Sequence, residues 1–146
     1  MAQIVSFTGP NFFLSNFYPC EVGFEGRVYQ SSEHAYMAAK TTDENIRAYI
    51  AAQSTPSAAK KVGRSIPLRE NWNDTRIHYM RIILENKFGD YELRDKLDST
   101  KGCELIEGNT WGDTFWGQCP LGNGHNNLGK LLMQIRDDIT KFGAFE

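Results

Sequence analysis

Three segments of this chain hold residue types that packing alone does not require. In the run Ser31-Ser32-Glu33-His34-Ala35-Tyr36-Met37-Ala38-Ala39-Lys40, the residues Glu33, Tyr36, Met37 and Lys40 fall at i, i+3, i+4 and i+7 of a predicted helix that Ser31 or Ser32 can cap. That spacing can bring a carboxyl and an amine into one pocket. The alternative is a solvated face with an ordinary Glu and Lys. Ala35, Ala38 and Ala39 weigh against it, because small residues let a helix back closely onto a neighbour and leave the long polar side chains on the opposite face.

The second segment is Gly63-Arg64, which follows Lys60-Lys61 at a predicted helix end. Gly permits a backbone turn there, and a guanidinium beside it can grip a phosphate in a bidentate fork. A plain C-cap with cations at the negative helix end explains the same residues equally well. The third segment runs from Gly108 to Gly129 and holds six glycines, Trp111, Asp113, Phe115 and Trp116 before a helix that opens at Asn126 or Asn127. Backbone amides at that opening could bind an anion, although no phosphate-loop or dinucleotide pattern is matched. Of two tryptophans in one loop, the expectation is that one caps the core and one stacks on a flat ligand.

Other chemistries have little support. His34, His78 and His125 form no HxxxH or HxH pair, and Cys20, Cys103 and Cys119 form no CxxC pair, so no metal site and no cofactor are expected, and the cysteines read as free thiols. No thiol nucleophile has a general-base partner that the sequence identifies.

The elements that must position these residues follow from periodicity. With 146 residues, 40% of them hydrophobic, the chain is expected to be one domain with a core that needs no disulfide or metal. The first thirty residues alternate short apolar runs with turn formers and read as strands and hairpins, with a Glu25-Gly26 turn between Phe24 and Val28. Helices are predicted from Ser31, over residues 43–53, from Thr55-Pro56 to Gly63, over 71–88 and over 91–97. Ile77, Met80, Leu84 and Phe88 stripe the segment 71–88, with Tyr79 and Ile83 widening the stripe, which marks it as the central helix. Residues 104–107 read as a buried strand. The last helix carries Leu128, Leu131, Leu132, Ile135, Ile139 and Phe142 on one stripe, and Gly143 stops it. Long helices beside a few short strands make the class α+β.

The net charge of −2 argues against a domain that holds nucleic acid by bulk phosphate neutralisation. The charge is uneven, however: residues 60–87 carry seven Lys/Arg against three Asp/Glu, and both flanks are acidic. An anionic ligand is expected to meet this middle segment. With no apolar run of membrane-spanning length and no signal-peptide pattern at the start, a cytoplasmic protein without a membrane partner is expected.

Taken together, Phe-Leu-Ser-Asn-Phe at 13–17, Ser-x-Glu-His-x-Tyr-x-x-x-Lys at 31–40, Gly63-Arg64, Trp72, Gly-Asn-x-Trp-Gly-Asp at 108–113, and Gly-x-Asn-x-Leu-Gly-x-x-Leu-Met-x-x-Arg at 124–136 resemble the NADAR (NAD- and ADP-ribose-associated) family, also called YbiA-like. The resemblance runs in order along nearly the whole chain. It implies a mainly helical α+β domain and hydrolysis of an N-glycosidic bond. Two substrate classes are implied: ADP-ribose joined to guanine, and a phosphoribosylamino-pyrimidine intermediate of riboflavin synthesis. Lys40 matches the family's Schiff-base nucleophile, assisted by acids at Glu33 and Asp113. A lysine attacks only when neutral, which burial or a cation such as Arg64 favours and an ionised Glu33 opposes. Proton exchange between Glu33 and Lys40 reconciles the pair and turns Glu33 into an acid.

The rest of a ligand is placed by residue type. Arg64, and more weakly Arg69, would hold phosphates; Phe17, Trp72 or Trp111 would stack on a base; Asn16, Asn109 or Asn126 would bond ribose hydroxyls. Ser32, Tyr36 and Gly63 complete the expected substrate site. The expected partner is ADP-ribosylated nucleic acid, held transiently and centred on the modified guanine. The riboflavin-intermediate glycosidase is the alternative, disfavoured modestly by a chain with no fused riboflavin-pathway domain and by a cationic middle segment better suited to a diphosphate. A non-catalytic ADP-ribose or NAD reader is the second alternative, and having both Lys40 and Glu33 argues against it.

Overall fold

The computed structural model describes residues 2–142. The fold is α+β and mainly helical, with strands of only two or three residues. Chain contacts divide the described residues into two compact units: residues 16–87, and residues 2–15 together with 88–142.

The unit of residues 16–87 begins with an antiparallel hairpin of β2 (Val22–Phe24) and β3 (Arg27–Tyr29), in which Val22 faces Tyr29 and Phe24 faces Arg27. Its two-residue turn, Glu25-Gly26, has φ of 45° at Glu25 and 86° at Gly26, the pair of positive values that suits the strand twist. Helices α1 (Ser32–Ala39), α2 (Glu44–Ala51), α3 (Pro56–Gly63) and α4 (Trp72–Lys87) follow. Their starts are set by local chemistry. Ser31 Oγ accepts from the amide of His34 at 3.1 Å, Asp43 from those of Asn45 and Ile46 at 2.8 and 3.2 Å, and Thr55 from that of Ala58 at 3.1 Å ahead of Pro56.

All eight residues of α1 are buried, and the helix packs on α2, α3, α4 and β2. It, and not α4, is the central helix of its unit. An isolated helix of this length is unstable in water. Ala35, Ala38 and Ala39 have no exposed surface, so neighbours on several sides approach its backbone and supply the stability it lacks. In α4 the buried set is Trp72, Met80, Ile83, Leu84 and Lys87; Ile77, expected on the stripe, is exposed.

In the other unit, β1 (Gln3–Ile4) pairs in parallel with β4 (Glu104–Leu105). Residues Gly9–Leu14, expected as a turn that runs into a strand from Phe12, form a 3-10 helix with Pro10 in its first turn and Phe13 and Leu14 buried. Proline suits that place because its φ is helical and it has no N–H to satisfy. Helices α5 (Tyr91–Asp98) and α6 (Asn127–Phe142) complete the unit. Leu128, Leu131, Leu132, Ile135 and Ile139 of α6 are buried as their spacing predicts, whereas Phe142 is exposed. The predicted stop at Gly143 lies outside the described residues. Among the described residues no helix is long and apolar enough to cross a membrane.

Candidate active site

Helix α1 carries the acid and the amine. Glu33 is buried in its first turn, and its amide donates to Asn16 O at 3.0 Å. Lys40 is the residue that closes the helix, still in helical conformation, with its amide donating to Met37 O at 3.3 Å. Its side chain is part-buried: Nζ donates to Gly63 O at 3.4 Å and stands 6.0 Å from the centre of the Tyr36 ring. Burial pushes the lysine pKa below its ordinary value; Glu33 opposes this, while Arg64, Lys60 and Arg76 add to it. The opposing effects expected of Glu33 and Arg64 therefore both act on this amine, and desolvation is the largest influence.

Gly63 has a steric reason to be glycine. A Cβ at this position would meet Met37 of α1 along its side chain, overlapping Sδ and lying 2.8 Å from Cγ and 3.0 Å from Cβ. Its absence lets α3 close on α1 and brings the last carbonyl of α3 to the Lys40 amine. Arg64 follows as the exposed C-cap residue, and Lys60 Nζ lies 5.9 Å from the centre of the Phe17 ring. At the other end of α1, Asn16 Oδ1 and Ser32 Oγ are buried without a hydrogen-bond partner. Buried acceptors left this way are uncommon and suit a ligand's donors.

Two expected ligand residues of this unit have other duties. Trp72 is 5% exposed and lies between Tyr36, 5.3 Å away, and Tyr79, 6.0 Å away and nearly parallel. It offers no free face to a base; its place is in the core, against Tyr36. Arg69 donates from Nη1 to Ala39 O at 3.2 Å and sits 4.5 Å over the Tyr79 ring, so one edge of its guanidinium is engaged by the protein. His34 is a structural pin as well. Its Nε2 faces Gln53 O at 2.9 Å and its Nδ1 faces Ser31 Oγ at 2.7 Å, which assigns the proton to Nε2.

Arg76 was not singled out by sequence, yet its charge acts on Lys40 from α4. The one signal was the cationic excess of residues 60–87, which does not say which cation faces inward.

The other four expected residues, Asn109, Trp111, Asp113 and Asn126, belong to the second unit. Asn109 and Asp113 bind each other through Nδ2 to Asp113 O at 2.9 Å and Asp113 N to Oδ1 at 3.1 Å. Asp113 Oδ1 also accepts from the amides of Phe115 and Trp116 at 3.2 and 3.0 Å. Asn126, at φ 49°, accepts from Glu107 N at 3.0 Å and donates to Leu105 O at 2.9 Å. The amide groups of Asn109 and Asn126 thus organise the loop and are not left for ribose hydroxyls. The expected anion site at the start of α6 is also filled: the amides of Asn126, Asn127 and Leu128 donate to Gly117, Phe115 and Trp116 carbonyls at 3.2, 3.3 and 3.1 Å. Trp111, 69% exposed, keeps a ring free to stack. Among the described residues no group of three or more His, Cys, Asp or Glu side chains is placed to hold a metal ion.

The chain thus has a mainly helical α+β fold whose central helix carries a buried carboxyl and, at its end, a part-buried amine. The family model for the NADAR domain matches residues 6–140, and the chain belongs to the NADAR family. It is 38% identical to the N-glycosidase YbiA of Escherichia coli over 129 residues, covering 86% of this chain and 80% of that protein. An N-glycosidase of Nostoc punctiforme is 34% identical, with 86% and 83% covered. A riboflavin biosynthesis protein of Vibrio vulnificus is 33% identical over 91% of this chain but only 37% of its own length. The NMR structure of E. coli YbiA superposes with a TM-score of 0.84 at 34% identity, covering 100% of this chain and 92% of that one.

Proposed function

We propose that this protein is an N-glycosyl hydrolase that removes ADP-ribose from guanine in nucleic acid and restores the base, with Lys40 as nucleophile. One observation carries the reading: the Lys40 amine is part-buried against the end of α3, with Glu33 on the same helix and the charges of Lys60, Arg64 and Arg76 acting on it. Burial and the three cations favour the neutral, reactive amine, and cations in that number suit the two phosphates of ADP-ribose. The relatives named N-glycosidases support the reaction class.

The chemistry follows from the groups present. Neutral Lys40 Nζ bonds to the anomeric carbon of the ribose as the bond from that carbon to the ring oxygen breaks, and the ring oxygen takes a proton. The nitrogen lone pair then expels the base, whose nitrogen is protonated, leaving an imine between the sugar and Lys40. Water adds to the imine carbon, the carbon–Nζ bond breaks, and free ADP-ribose leaves with the amine restored. Glu33, having taken the lysine proton, supplies the acid for ring opening or base departure. Asn16 Oδ1 and Ser32 Oγ, buried without partners, accept from the ribose hydroxyls.

A second reading, the phosphoribosylamino-pyrimidine glycosidase, is favoured by the similarity to riboflavin biosynthesis proteins. Mass spectrometry separates the two. Wild type and Lys40→Ala are incubated with an ADP-ribosylated guanine oligonucleotide and with the pyrimidine. Restored oligonucleotide with wild type, and none with the variant, is the expected result. Cleavage of the pyrimidine alone moves the protein to the second reading, and ADP-ribose bound but never released makes it a reader.

A further inference from the structure

The carbonyl end of α1 is tied by two arginines that lie outside it. Arg47 of α2 is buried, and its Nε donates to Ala38 O at 3.2 Å and to Thr41 O at 2.9 Å. Arg69, between α3 and α4, donates from Nη1 to Ala39 O at 3.2 Å and from its backbone amide to Lys40 O at 2.7 Å. Four successive carbonyls, of residues 38–41, are thereby held in place. Helix ends leave such carbonyls without intrahelical partners, and cations are favoured there.

Both guanidiniums converge on one carboxylate. Glu25 Oε1 lies 2.8 Å from Arg47 Nη2 and 4.0 Å from Arg69 Nη1. Glu25 occupies the hairpin turn at φ 45°, a conformation that favours Gly, Asn or Asp, and nearly half its side chain is exposed. Neither turn preference nor core packing therefore explains a glutamate here. Aromatic faces hold the two cations from behind, Phe24 5.5 Å from Arg47 and Tyr79 4.5 Å from Arg69.

We propose that Glu25, Arg47 and Arg69 form a clamp on the last turn of α1 that aims the Lys40 amine at the sugar carbon. It rests on the reading of Lys40 as nucleophile. A lysine side chain has four flexible torsions, so its reach is defined only if its backbone is rigid, and reacting groups tolerate about 0.5 Å of misplacement. Arg69 thus becomes a positioning residue in place of a phosphate ligand, and Glu25 and Arg47 join it.

Two variants test this alongside Lys40→Ala. Glu25→Gln keeps the shape and removes the charge, and Arg69→Lys keeps the charge and removes the planar fork. On the ADP-ribosylated guanine oligonucleotide, kcat should fall about three- to tenfold in both, with KM within about twofold of wild type. In Glu25→Gln the amides of Lys40 and Thr41 should exchange hydrogen about tenfold faster. Unchanged kcat in both variants beside a dead Lys40→Ala overturns the clamp and leaves the nucleophile in place. A raised KM with unchanged kcat in Arg69→Lys returns Arg69 to phosphate binding and also overturns it. If Lys40→Ala is fully active, the underlying reading fails, and hydrogen exchange alone then decides whether the clamp exists: unchanged exchange in Glu25→Gln overturns it.

Discussion

Lys40 and Gly63 meet where two helices end, the amine of one donating to the last carbonyl of the other at 3.4 Å. The bond is long and single, so it steers the amine without holding it against a competing electrophile. It exists because Gly63 has no side chain to collide with Met37.

Gly63→Ala should therefore act on both stability and rate. Overpacking of this kind costs about 1–3 kcal/mol, read as a lower midpoint in urea unfolding, and activity should fall as α3 is pushed from α1. Trimming the collision partner, with Met37→Ala added to Gly63→Ala, should recover part of the lost kcat. No recovery would mean that the helix separation does not set the position of Lys40.

The pH dependence of kcat/KM reports the amine. The reactive pair holds one proton, passed from Lys40 to Glu33, so kcat/KM should fall at high pH through an ionisation that lies below the ordinary lysine value of 10.5. Removing a cation lets the pair hold that proton more tightly, so Arg76→Ala should move the falling limb to higher pH. A limb that stays in place removes Arg76 from the surroundings of Lys40.

The tryptophans should separate cleanly. Trp72→Ala empties a core position between Tyr36 and Tyr79 and should cost about 3–5 kcal/mol of stability. Trp111→Ala removes an exposed ring and should leave the melting temperature within about 2 °C of wild type, surface changes being small. A drop as large as that of Trp72→Ala would show that the Trp111 ring supports its own loop.

Lys87 is fully buried at the end of α4, and burial brings its pKa down to about 8 from 10.5. The unfolded chain thus binds this proton more tightly than the folded one, and stability should rise as pH climbs from about 8 to 10.5 and be flat on either side. Against Lys87→Met, the wild type should gain up to about 3 kcal/mol across that window, measured by urea unfolding at pH 7, 9 and 10.5. A constant difference would show that Lys87 keeps its charge when folded.

Much of the local structure was legible because its causes are local. Ser31, Asp43 and Thr55 sit beside the amides they cap, and the positive φ values of Glu25 and Gly26 complete a two-residue turn. The spacing of Glu33 and Lys40 was equally visible, as was the apolar stripe of α6. The 3-10 helix was missed because Phe12, Phe13 and Leu14 show the same apolar run in a helical turn as in a strand.

The sequence by itself determined which residue types the site could draw on: one lysine and one glutamate on a helix rich in alanine, and a cationic stretch after it. Only the tertiary structure decided which of them remain available. Asn126 is spent on a carbonyl 21 residues away, and Arg69 on one 30 residues away. Trp72 lost its faces to Tyr36 and Tyr79, and the charge of Arg76 was brought to act on Lys40. The physical reason is that a buried polar group must find a partner wherever the packed chain brings one, and periodicity carries no record of partners that distant.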